Sequence, residues 1–224
     1  MRLLRLAAAA CLLVTAATAA PVFASPANPQ NGVDYTTLAQ PQPVQAAGKK
    51  VEVIEFFMYH CPVCNGLEPG FEEWVEKQGD RIQVRRIHMP FTGPNDPEAH
   101  LFVTLEALGK LDEMHGKVFD AVHRQRIRLN KDEAIVDWVS KNGIDRTTFL
   151  NAWNSFGVQA RMRQLSKLIS TYGVDSVPTL VIDGRYMTSP SMANATLKTH
   201  NPQELFKATL QVADALVDRA AASK

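Results

Sequence analysis

The spacing of apolar residues changes character twice along this chain. Residues 51–57 form a nearly continuous apolar run with β-branched and aromatic side chains, which predicts a central strand buried on both faces. Residues 61–77 then carry Leu67, Phe71, Trp74 and Val75 at helical spacing, with Gly66, Pro69 and Gly70 expected to kink or interrupt the helix. Residues 82–87 have the apolar positions of a second strand, and Pro90 with residues 92–95 closes a β-α-β unit. From residue 97 to about 172 the period is helical, through Leu101, Phe102 and Leu105, then Val118, Phe119 and Val122, then Ile135, Val136 and Val139. Asp132 and Asp145 read as caps or first-turn acids, and Gly109 and Gly143 as stops. Strand character returns at residues 179–182, where Asp183-Gly184 predicts a tight turn into residues 185–188. Leu205, Phe206, Leu210, Val212 and Leu216 predict a final helix over residues 202–221. A short edge strand is expected within residues 33–38. The order describes one α/β sheet domain split by a helical insertion, with no repeat of fixed period.

The first 24 residues do not belong to this pattern. Arg2 and Arg5 precede an apolar core through Leu12, Leu13 and Val14, and Val22-Phe23-Ala24 supplies small residues before Ser25. Those regions in that order predict a secretory signal peptide over residues 1–24, cleaved after Ala24. Thr18-Ala19-Ala20 is a second cleavage pattern, disfavoured by Pro21. The apolar run is shorter than the ~20 residues of a membrane span. Residues 25–48, rich in Pro, Gln, Ala and Asn, read as a loosely structured N-terminal segment. Removing the signal takes away two arginines and no acid, turning the formal net charge of +1 into −1. No basic excess points to nucleic acid.

Of the three cysteines, Cys11 falls in the signal, leaving Cys61 and Cys64 in an exported chain. A bond between them closes too small a loop to stabilise the fold much by chain entropy, so the pair reads as a reagent. Placed between a strand and a helix, Cys61 would sit at the helix N-terminus, where unpaired N–H groups favour a thiolate, the species that thiol–disulfide exchange requires. Structural zinc sites share this spacing but need further ligands. His88, His100, His115, His123 and His200 are scattered without ligand spacing, so each reads as a surface or satisfied structural histidine, and no metal and no cofactor are expected.

A CxxC at the start of the first helix of such a layout resembles the thioredoxin fold. Val177-Pro178-Thr179, ahead of the last strands, matches that fold's cis-proline loop. Cys64 and Pro178 are 114 residues apart, a separation that fits a helical insertion and resembles the DsbA family of periplasmic thiol:disulfide oxidoreductases. Glu55-Phe56-Phe57, residues 35–38 and residues 152–156 resemble further family stretches. The resemblance implies a discontinuous thioredoxin-like domain, residues 49–94 and 173–224, around a helical insertion domain, residues 95–172. It departs at Val63, where well-known members have histidine. Valine neither donates a hydrogen bond nor carries charge, so a weaker oxidant is expected. His60 is either a partial substitute or a polar surface residue.

The resemblance implies roles residue by residue. Cys61 is the nucleophilic, exposed sulfur and Cys64 the buried resolving one. Pro178 and Val177 bind substrate, and Glu55 relays the Cys64 proton. Met58, Tyr59, Phe91 and Met187 are candidates for apolar surface around the site or for core. The implied function is disulfide formation in reduced, unfolded exported proteins of the periplasm by a monomer that a DsbB-like membrane quinone reductase reoxidises. A thiol reductase or isomerase, or a periplasmic copper carrier using the same cysteines with Met58 or His60, are the competing readings.

Overall fold

The computed structural model describes residues 25–224; the signal segment with Cys11 lies outside the described residues. Five strands form one sheet in the order β1-β5-β4-β2-β3, where β1 is Thr36–Thr37, β2 Val51–Phe57, β3 Ile82–His88, β4 Thr179–Ile182 and β5 Tyr186–Thr188. The β2–β3 pair is parallel and the other pairs are antiparallel. Every residue of β2 is buried, Glu52 and Glu55 included. A parallel pair needs a crossover, supplied by helix α1, Pro62–Gln78.

Five helices separate β3 from β4: α2 Pro97–Ala107, α3 Leu111–His123, α4 Asp132–Lys141, α5 Arg146–Trp153 and α6 Phe156–Tyr172. Asp145 caps α5 by accepting from the Thr148 N–H, and Asp132 opens α4. Two apolar clusters sandwich the sheet. Ile54 and Phe56 pack with these helices on one side, and Val51 and Val53 pack with Leu67, Phe71 and α8, Pro202–Ala221, on the other. Among the described residues, no helix is long and apolar enough to cross a membrane.

Three expectations need correction. Helix α1 runs without interruption through Gly66, Pro69 and Gly70. Gly66 is there for close approach, since a Cβ on it would lie 2.8 Å from the Phe206 ring, whereas one on Gly70 would be in ordinary contact at 3.4 Å from Leu210. The edge strand shrinks to two residues because Val33 and Asp34 turn instead; the Asp34 N–H donates to the Gln30 carbonyl. Helix α7, Pro190–Leu197, was not expected; it buries only Pro190 and Ala193, so it carries no apolar period.

Candidate active site

Cys61 is the N-cap of α1, with Pro62 fixing the first helical position. Its Sγ accepts from the Cys64 N–H at 3.3 Å, one of the backbone donors that a helix start leaves without a partner. Both cysteines are free thiols. A hydrogen bond from the Cys64 thiol, aided by the Cys64 and Val63 N–H groups and the nearby His60 ring, brings Cys61 down to about 6 against the effect of burial. The same shared proton, with burial, pushes the Cys64 thiol up. The pair is thus split, with Cys61 favouring the thiolate and Cys64 the thiol.

Cys61 is less exposed than expected, at 8% accessibility against none for Cys64. The cover comes from the far end of the chain. The Val177–Pro178 bond is cis, and the Cys61 thiol lies 3.8 Å from the Val177 carbonyl, which accepts from it. The sequence separates those residues by 116 positions, and the β2–β4 pairing brings them together. Val63 points outward with 43% exposure.

Glu55 is fully buried on β2, and its register partner on β3 is Arg86, whose Nε donates to Glu55 Oε2 at 3.0 Å. Arg86 also binds Glu68 at 2.9 Å and reaches Glu72. Burial, then the Glu68 charge, raises the Glu55 carboxyl well above its usual range, and its charge in turn helps to raise Cys64. Glu55 thus has the hydrogen-bonding partner of a structural glutamate together with the raised pKa of a proton carrier. Donor atoms of Glu55, Glu68 and His115 come within 4.8 Å of one another, a grouping that sequence spacing did not reveal. The Arg86 guanidinium lies against both carboxylates of that group.

Tyr59 is buried core, not substrate-facing surface. Its N–H donates to His88 Nε2 at 3.1 Å and its carbonyl accepts from His123 Nε2 at 2.7 Å. Its hydroxyl meets His115 Nδ1 at 3.1 Å, while His115 Nε2 lies 3.2 Å from Glu68. His88, His115 and His123 are thus satisfied structural histidines, and they hold the residue two places before Cys61. Next to it, His60 Nδ1 bonds Glu98 Oε2 at 2.6 Å, and the His60 ring meets Phe91 edge-on at 4.9 Å. Phe91 is 69% exposed, whereas Met58 and Met187 are partly buried against the core.

Fold and redox pair together define a thiol:disulfide oxidoreductase built on a thioredoxin-like fold with a helical insertion. Comparison with known proteins narrows that class. The DSBA-like thioredoxin domain profile matches residues 97–200. The thiol:disulfide interchange protein DsbA of Burkholderia cepacia is 41% identical over 172 residues, 77% of this chain and 81% of that protein. The DsbA of Bordetella pertussis is 36% identical over 183 residues, covering 81% of this chain and 87% of that protein. The crystal structure of Pseudomonas aeruginosa DsbA superposes with a TM-score of 0.70 at 35% identity, covering 86% of this chain and 96% of that one. The chain belongs to the DsbA family of thiol:disulfide interchange proteins.

Proposed function

We propose that the protein oxidises reduced exported proteins in the periplasm through Cys61 and Cys64. A substrate thiolate attacks Cys61 Sγ, the Cys61–Cys64 bond breaks, and Cys64 leaves and takes a proton. A second substrate thiolate then attacks the substrate sulfur of the mixed disulfide and expels Cys61 as a thiolate. Two electrons pass from substrate to protein. One substrate proton is matched on Cys64 and the other goes to solvent. The observation that carries this reading is the split acidity of the pair: Cys61 is brought down to about 6 while Cys64 is pushed up. The low side makes Cys61 the better leaving group, and the high side makes Cys64 a proton acceptor.

The remaining roles follow from position. Glu55, buried and electrostatically linked to Cys64, supplies the proton when Cys64 is released. Val177 and Pro178 form the loop that receives an extended substrate backbone. The Val177 carbonyl accepts from the Cys61 thiol and is released when that sulfur is an anion with no proton to donate. Residues 49–94 with 173–224 carry this chemistry, and residues 95–172 form the insertion domain beside it. The protein acts as a monomer after loss of the signal peptide, and a DsbB-like membrane quinone reductase restores the disulfide.

The test is trapping. Cys64→Ser is expected to accumulate mixed disulfides on Cys61 when given a peptide disulfide, and Cys61→Ser to abolish oxidation of a reduced peptide. Mass spectrometry that found adducts only on Cys64 would reverse the assignment. Metal retained by the purified protein, with no disulfide detected by thiol titration, would favour the copper-carrier reading instead.

A further inference from the structure

A cleft of about 730 Å³ is lined by His60, the residue that precedes Cys61. Its walls come from the turn that carries His60, from the loop before α2 and from the loop joining α3 to α4. Asp96 and Glu98 line it, but both are already used. Asp96 accepts from the Phe91 and Thr92 N–H groups, the Thr92 hydroxyl and the Ala99 N–H. Glu98 is held by His60. Both carboxylates are largely buried, so they present little free negative charge to a ligand.

The positive side chains of the lining are in the opposite condition. Arg126 and Arg128 are exposed, and neither has an ion-pair partner within 4 Å among the described residues. Arg124, two positions earlier, is paired with Asp120 at 2.5 Å, so the loop does not leave its arginines unpaired uniformly. Arg126 also sits at φ +57, a left-handed conformation that glycine takes freely and a side-chain-bearing residue does not. The turn is closed by the Ile127 N–H donating to the Ala121 carbonyl at 2.8 Å, which glycine would serve equally well. Apolar contact area lies alongside, from exposed Phe91 and half-buried Ile127.

We propose that this cleft receives the substrate chain next to its reacting cysteine and selects extended segments that pair an acidic side chain with an apolar one. The proposal rests on Cys61 being the sulfur that exchanges with protein substrates. Chemistry gives the selection a purpose beyond attraction. An acidic neighbour raises the pKa of a substrate cysteine and leaves less of it as the attacking thiolate. Two unpaired guanidinium groups in the cleft that His60 lines offset that handicap and speed encounter with the segments that suffer from it.

The experiment uses the oxidised full-length mature protein and two synthetic reduced peptides. Each peptide has two cysteines and a leucine, one with glutamates flanking the cysteines and the other with lysines. Rates are compared at matched substrate thiolate concentration, and the ratio of acidic to basic peptide is taken within each variant. The wild type is expected to favour the acidic peptide roughly fivefold at low ionic strength, a modest factor because the guanidinium groups are exposed. High salt is expected to erase the preference. Arg126→Glu with Arg128→Glu is expected to invert the ratio, and Arg126→Gly with Arg128→Gln, which suits the positive φ, to bring it to unity. Equal rates for the two wild-type reactions, or a ratio that survives charge reversal, would overturn the proposal. Failure of the wild type to oxidise either peptide or dithiothreitol would overturn the exchange reading itself and this inference with it.

Discussion

His60 Nδ1 and Glu98 Oε2 lie 2.6 Å apart, joining the residue that precedes the redox pair to the first turn of α2. The bond fixes the orientation of the imidazole. His60 is a minor one of the groups that lower the Cys61 pKa, so its removal tests whether it stands in for the histidine that Val63 replaces. His60→Ala is expected to raise the Cys61 pKa by up to about one unit, because the ring is partly solvent-screened. Glu98→Gln is expected to do the same by less. Thiolate absorbance followed across a pH titration measures both, and an unmoved Cys61 in both variants would remove His60 from the mechanism.

Val63→His adds a second imidazole near the helix start, where Val63 is exposed enough to be replaced without repacking. The expected result is a stronger oxidant. Each unit of thiolate pKa is worth about 1.4 kcal/mol, or about 30 mV for a two-electron couple if fully expressed. Equilibration of both proteins against glutathione gives the shift. An unchanged or lower potential would show that the existing donors already saturate the thiolate.

Arg86 holds three carboxylates together beneath the redox pair. Arg86→Met would leave Glu55 and Glu68 buried without their cation, with an expected loss of about 3–5 kcal/mol. Glu55→Gln acts differently. The Glu55 pKa is raised in the folded protein, so its contribution to stability is fully present below the unfolded carboxylate pKa and is lost as pH rises towards the folded value. Glu55→Gln should therefore gain stability relative to wild type as pH rises above about 4, while slowing release of substrate from the mixed disulfide. Denaturant midpoints across pH test the first effect and stopped-flow kinetics the second. A variant that loses stability without any kinetic change would make Glu55 purely structural.

His88 is fully buried, and burial brings it down to about 3. A histidine depressed in this way contributes stability above its unfolded value of about 6.5, and that stability drains away as pH falls towards 3. Acid sensitivity should begin near pH 6 and be smaller in His88→Gln, which keeps an acceptor for the Tyr59 N–H. Equal pH slopes in the two proteins would assign the sensitivity to other groups.

The sequence made the redox pair and most of the sheet legible because each is written locally, and the cis-proline loop through the family resemblance. Cys61-Pro62-Val63-Cys64 follows an apolar run, and Pro178 precedes another. What it hid depends on distant partners. The imidazoles around Tyr59 come from 29, 56 and 64 residues away, and no periodicity connects them. Glu98 was hidden in the same way, since its bond to His60 spans 38 residues. Gly66 was misread because the Phe206 ring that occupies its missing Cβ space belongs to the last helix. The Asp183-Gly184 turn, set by two adjacent residues with positive φ, was readable at once.

Cys61 accepts hydrogen bonds from Cys64 most strongly as a thiolate, a state open to it only when the pair is reduced. Folding and oxidation are two sides of one closed cycle. The extra stability of the dithiol fold over the disulfide fold must therefore equal the extra oxidising power that folding gives the pair. A group that steadies this thiolate tightens the reduced protein and sharpens the oxidised one by the same amount of free energy. The oxidised chain should be the easier of the two to unfold, so calorimetry of the two redox states would measure the protein's strength as an oxidant without any substrate present.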